Sequence, residues 1–288
     1  MQASYHAVMA AAVLLSVVQT PVQASLVWQP APVKHDKDHQ HAQHGQNDRD
    51  DQNNHNGRRA PKSYVLKGGA AEVVLLKPDL ARQALKLDGG TVKVRSTGME
   101  NYHALVAESQ PDDKTIESAV RYLYMRGKPS GYSPSLVNKA VKVRFEIVPA
   151  PLPREHRRYN ANHDAVFILR YLGTPVASTP VTMRTANGTE LTAVSDRAGA
   201  IRVTFPDDIP VVKEGRRNNR PIEFVLSSQL QRDGQTFNTT LSGQYHADPA
   251  YWQSFELGMA VLGVGFVSGL AINRRARRKS AQQSSAKN

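Results

Sequence analysis

Over most of this chain apolar and polar residues alternate in short runs, with the period of strands rather than helices. Thr91-Val92-Lys93-Val94-Arg95 alternates strictly, which puts Val92 and Val94 on one face of a half-buried strand. Ser63 to Leu66, Glu72 to Leu76 and Tyr102 to Ala107 are further short β-rich runs. Val141 to Val148 places Val141, Val143, Phe145 and Ile147 on one face. Thr115 to Met125 fits two templates. Ile116, Ala119, Val120 and Leu123 keep helical spacing, whereas Val120, Tyr122 and Tyr124 alternate. A second series follows: Ala165 to Tyr171, Val181 to Thr185, Glu190 to Ser195, Ala200 to Phe205, Ile222 to Ser228 and Thr236 to Ser242. The breaks carry turn residues, among them Asn187-Gly188 and Asp233-Gly234. These are short-hairpin signals, because both central residues must take positive φ.

Pro149, Pro151 and Pro153 interrupt the two series and predict a stiff extended connector. The expected fold is all-β, with two β-sandwich-like domains at residues 62–150 and 151–250. The regular short strands of the second predict an immunoglobulin-like sandwich.

The two ends read differently. Leu257 to Ile272 carries no charge and is followed by Arg274, Arg275, Arg277, Arg278 and Lys279. That order predicts one transmembrane helix over 253–273 and a basic cytoplasmic tail over 274–288, because Lys and Arg resist translocation. Gly265 and Gly269 form a GxxxG pair through which two such helices could approach as a homodimer. At the other end, Val8 to Val18 is apolar and Val22-Gln23-Ala24 offers a cleavage site before Ser25, so residues 1–24 read as a secretory signal. Together these place the chain in a bacterial inner membrane as a single-pass protein, with its body in the periplasm.

Composition sharpens this picture. The chain has no cysteine, so no disulfide can staple the exported body and a true core must hold it. The formal charge of +12 includes +6 from Arg274 onward, leaving 12 − 6 = +6 spread over the rest of the chain. Charge so dilute is a solvated surface, and nucleic acid is excluded as a partner. There is no GxSxG elbow, no HExxH, no P-loop and no dinucleotide fingerprint, so no catalytic residue is assigned and no enzyme is expected.

Residues 25–61 read as a disordered tether, with 33–60 almost devoid of large apolar side chains. Half of the chain's ten histidines lie there: His35, His39, His41, His44 and His55. Imidazole suits Ni, Co, Cu and Zn, so these five are the candidate ligands of a loosely held transition-metal ion. His156 and His163, beside Glu155 and Asp164, are a further imidazole–carboxylate group. Arg154, Arg157 and Arg158 crowd them and oppose a bound cation. His103 and His246 stand singly and read as structural.

A resemblance adds to this reading. Leu172-Gly173-Thr174-Pro175-Val176-Ala177, Val181-Thr182-Met183 and Ser195-Asp196-Arg197-Ala198-Gly199 resemble the immunoglobulin- or prealbumin-like modules of bacterial surface and periplasmic proteins. With Phe145 to Pro153, Gly127-Lys128-Pro129-Ser130 and Asp248-Pro249-Ala250-Tyr251-Trp252, residues 90 to 255 look like the periplasmic accessory component of bacterial nickel and cobalt uptake systems. The resemblance implies an exported two-domain β protein that binds a transition-metal ion and assists a transporter membrane subunit. It also implies a histidine at the mature amino terminus, where this chain has Ser25-Leu26-Val27-Trp28. Two functions therefore stand at this point: a membrane-anchored metal-binding accessory of an uptake transporter, or a non-catalytic β-sandwich module that binds a protein or glycan partner in the envelope.

Overall fold

The computed structural model describes residues 26–32, 61–153, 159–215 and 218–252, with Val264, Phe266 and Ser268 beyond them. Strand accounts for 54% of the structure and helix for 7%, so the fold is all-β as the alternation predicts. In chain order the strands are β1 (Val27–Pro30), β2 (Lys62–Lys67), β3 (Glu72–Leu76), β4 (Arg82–Ala84), β5 (Thr91–Val94), β6 (Met99–Asp112), β7 (Thr115–Met125) and β8 (Lys128–Pro129). A short helix, α1 (Pro134–Lys139), comes next. Then follow β9 (Phe145–Pro149), β10 (Tyr159–Asn160), β11 (Asp164–Tyr171), β12 (Thr174–Pro175), β13 (Pro180–Thr185), β14 (Glu190–Val194), β15 (Ala200–Thr204), β16 (Ile222–Arg232) and β17 (Gln235–His246).

One sheet runs through the whole body in the order β14-β13-β16-β17-β7-β6-β3-β4. Its seam is the parallel pairing of β17 with β7, from Thr236 beside Thr115 to Ser242 beside Arg121. A small sheet, β1-β2-β5, covers one face at one end. A second sheet, in which β11 pairs with β9, β12 and β15, covers the opposite face toward the other end. The body thus has two cores on opposite sides of one sheet. In β7, Ile116 and Val120 enter the larger core while Ala119 and Leu123 enter the smaller. In β6 the same division separates Ala104 and Val106 from Leu105 and Ala107. A strand buried on both faces loses its polar alternation, which is why Thr115 to Met125 also matches a helical template.

Several expectations change here. Where the prolines predict a connector between two bodies, strands on either side of them join one sheet. β9, which ends on the first of those prolines, pairs along its length with β11, which follows the last, and Pro149 itself stands beside Phe167. The proline stretch is packed: Asn138 Nδ2 donates to Pro149 O at 2.7 Å, Tyr102 Oη to Pro153 O at 2.6 Å, and Leu152 is buried. Leu26 to Pro30, assigned to the tether by sequence, instead provides β1, paired with β2 from Val27 beside Lys67 to Pro30 beside Tyr64. Trp28 is fully buried, and its Nε1 donates to Ala119 O at 3.2 Å. Val141 to Arg144 is not strand. Lys142 turns inward, and α1 before it starts at an N-cap, Ser133, followed by Pro134 at the first helical position. The Asp233-Gly234 hairpin is as predicted, with φ of 53° and 75° and Arg232 paired with Gln235.

Among the described residues no helix is long and apolar enough to cross a membrane. Of the span 253–273 only Val264, Phe266 and Ser268 are described, each helical and exposed. The rest of that span, Gly265 and Gly269 included, lies outside the described residues, as do residues 1–24 and 274–288.

Candidate functional site

His35, His39, His41, His44 and His55 lie outside the described residues, as do Glu155 and His156. The described histidines serve the fold. His103 is buried in β6, with Nε2 2.7 Å from Thr97 Oγ1 and Nδ1 3.1 Å from Asn101 O, which holds the turn before β6. Burial lowers its pKa, against the raising influence of the Asn101 backbone bond. His163 is exposed, with Nε2 3.5 Å from Asp248 Oδ1, and Asp164 is instead engaged by Arg202 and Thr204. His246 is buried at the end of β17. Among the described residues no three or more His, Asp or Glu side chains converge as a metal-ligand group.

The strongest buried polar groups are also explained by the fold. Glu146 is fully buried on β9, 3.1 Å from Lys142 Nζ and 2.9 Å from Arg170 Nε. Lys142 and Arg170 each donate to Ala140 O, at 2.8 and 2.7 Å, so the two cations also satisfy the carbonyls that α1 leaves open at its end. Burial lowers the Lys142 pKa to about 8, against the raising influence of Glu146. At the seam, Arg121 of β7 makes a bidentate pair with Glu223 of β16, at 2.6 and 3.0 Å, and lies over the Tyr64 ring. At one end of the larger core, Asp208 accepts from Tyr245 Oη and from Thr185 Oγ1 at 2.7 Å. Burial works to raise its pKa, but the hydrogen bonds from Tyr245, Thr185, Thr189 and Asn187 prevail and leave it low. Each charge is used to close a strand end, a helix end or a seam.

What the fold leaves open is a strand edge. Thr185 N donates to Thr189 O and Ser195 N to Thr179 O. Antiparallel pairing alternates, so Leu191 and Ala193, of the same parity, exchange their backbone bonds with β13. The N–H and C=O of Glu190, Thr192 and Val194 then point off the sheet, and nothing pairs with that side of β14 among the described residues. Leu191 is 41% and Val194 62% exposed on the same strand. Exposed edges are ordinarily blunted by charge, proline or brevity. β1 ends in Pro30, β4 is three residues long and starts with Arg82, β5 carries Lys93, β12 is two residues long with Pro175, and β15 carries Arg202. Beyond Glu190, which is tied to Arg184 at 2.9 Å, β14 reads Leu-Thr-Ala-Val with no charge and no proline. This edge can form main-chain hydrogen bonds with an added strand, with apolar side chains beside them to be covered.

Sequence reading finds the strand but not the edge. The signal available in one dimension is a short uncharged strand next to a hairpin turn, and which strand ends a sheet is decided by long-range pairing.

No family model matches the chain, and no curated protein matches it. Solved structures give weak likenesses. A tetra-tandem repeat from the extending region of a large adhesion protein aligns with a TM-score of 0.24 and 11% identity, covering 67% of this chain and 46% of its own. A structure described as a Ca2+-stabilized adhesin that helps an Antarctic bacterium reach out and bind ice gives 0.23 and 13%, covering 67% and 45%. The D00-D0 domain of intimin gives 0.20 and 10%, covering 65% and 93%. The chain spans about half the length of the two adhesin structures. At such scores these likenesses carry no argument about function.

Proposed function

We propose that this chain is a non-catalytic β-sandwich interaction module, held at a bacterial inner membrane by its C-terminal apolar segment, that binds a protein partner in the envelope by strand addition to β14. The observation that carries the reading is the β14 edge: three residues, Glu190, Thr192 and Val194, with unpaired outward backbone groups, two exposed apolar side chains and, past Glu190, no charge and no proline. The continuous sheet supports it. A strand added at β14 extends a sheet whose other strands are already fixed, so little of the receiving surface must be ordered on binding.

The test is site-specific photocrosslinking of the full chain in cells, with the crosslinker at Val194, in wild type and in Thr192→Pro. Proline at 192 removes one outward N–H and a 3.4 Å hydroxyl contact with Thr182, while sparing the backbone bonds to β13. The reading predicts a discrete adduct that the proline variant loses. No discrete adduct, or one indifferent to the proline, would sink it.

A further inference from the structure

The end of the body from which the chain leaves toward its apolar segment carries a second, differently charged surface. β17 and β7 are parallel, with Ser242 beside Arg121, so Met125 at the end of β7 lies at the same end of the sheet as His246 at the end of β17. β6 begins there too, with Asn101 paired to Met125. At this end an open groove of about 1010 Å³ runs between the Arg95–Met99 and Arg126–Ser130 segments, bordered by Pro61. Arg95, Arg126 and Lys128 line it and are exposed. Lys62, the first residue of β2, stands beside them. Its pKa is lowered by burial and then by the positive charges of Arg121 and Arg126. None of Lys62, Arg95, Arg126 and Lys128 forms an ion pair among the described residues. A smaller groove of about 330 Å³ shares Arg95 and continues the cations along Lys86 and Lys93, with Asp88 as its one acid.

None of the four cations is paired with a carboxylate among the described residues, and Glu100, beside Pro129, accepts instead from Tyr124 Oη at 3.0 Å, so their compensation is sought outside the chain. Their position says where. The uncharged run begins at Leu257, five residues past Trp252, a reach of at most roughly 18 Å. With that run seated in a bilayer, as proposed above, this end of the body lies beside the headgroups, within one or two screening lengths of about 8–10 Å. The larger-core half of the same end differs. Its acids Asp207, Asp208 and Asp248 are held by Tyr251, Tyr245 and His163.

We infer that the groove bearing Arg95, Arg126 and Lys128, with Lys62, docks onto anionic lipid headgroups of the bilayer that the chain's own apolar segment enters, tilting the body onto its smaller core. This rests on the C-terminal segment being a membrane anchor. Each cation near an anionic surface favours the docked pose about fivefold.

The test uses the full chain in nanodiscs of phosphatidylcholine alone or mixed with phosphatidylglycerol. Since the chain has no cysteine, Pro129→Cys in β8 gives a unique fluorophore site at the groove, and Asp113→Cys gives one at the far end of the sheet. The readout is quenching by headgroup-attached nitroxide. Quenching at position 129 in anionic discs is expected, with little in neutral discs and none at position 113. Replacing Arg95, Arg126 and Lys128 by Glu should reduce the docked-to-free ratio by at least about a hundredfold. In the unaltered groove, raising salt from ~0.1 to ~1 M should release it as screening tightens from ~10 to ~3 Å, a control that needs no substitution. Equal quenching in both lipids, or quenching that survives the substitutions and the salt, overturns the docking while leaving the anchor intact. A chain that does not co-purify with discs overturns the anchor, and the docking with it.

Discussion

The two cores of this body share one sheet and are built differently. The larger is aromatic: Phe205 packs at 4.9 Å from Phe224, 5.0 Å from Tyr159 and 5.2 Å from Tyr245, and Phe167 joins them beside Tyr159 and Phe224. Phe224 lies directly over Gly243 on the neighbouring strand, where any side chain would meet its ring. The smaller core is mostly aliphatic around Trp28, under a cover of three short strands. Its β1 pairs with β2 from Val27 beside Lys67 to Pro30 beside Tyr64 and carries Trp28 into that core. The comparison teaches that one side of the sheet is centred on a cluster of rings, and the other on a single tryptophan carried by a four-residue strand.

Four changes break or sharpen that contrast, taken from the largest effect down. Phe224→Ala should cost about 3–5 kcal/mol in denaturant unfolding and speed amide exchange on both sides of the sheet, because it empties the centre of the larger core. Lys142 should make stability rise with pH. The unfolded lysine keeps its proton to its ordinary value of 10.5 and the folded one only to about 8, so between those values the unfolded state holds more protons. The gain is on the order of 3 kcal/mol, and Lys142→Met should flatten the slope. Trp28→Phe should cost about 1–2 kcal/mol through the lost bond to Ala119 O and the smaller ring. It should raise exchange in β2 and β5 while β16 stays protected. Thr192→Pro should cost no more than Thr192→Val, which also gives up the 3.4 Å hydroxyl contact with Thr182, to within about 0.5 kcal/mol, since the N–H at 192 points off the edge; a larger loss for proline would place that N–H in a bond the edge lacks.

Strands with one wet face were legible in the sequence. Thr91 to Val94 lies where the alternation puts it, Glu72 to Leu76 where its β-rich run does, and Asp233-Gly234 makes the turn its residues require. The misreadings have physical causes. β7 is buried on both faces by two different cores, which erases the period that marks a strand. Val141 to Arg144 alternates, yet Lys142 leaves the pattern to cap α1 and pair with Glu146. Pro149 to Pro153 reads as a spacer because proline is stiff, while the bonds from Asn138 and Tyr102 that pack it come from elsewhere in the fold. The pairing of β7 with β17 joins residues more than a hundred positions apart and leaves no local mark. The edge of β14 and the cationic groove share that origin, because both are made by which strands end together.

The central claim is that β14 receives a partner strand, and backbone hydrogen exchange of the full chain reads those bonds directly. Exchange is compared between native envelope membranes and the purified protein. The account predicts that the outward amides of Glu190, Thr192 and Val194 are protected in the membranes and exchange freely after purification, while Leu191 and Ala193 are protected in both. Equal, fast exchange of the three outward amides in both preparations would contradict it.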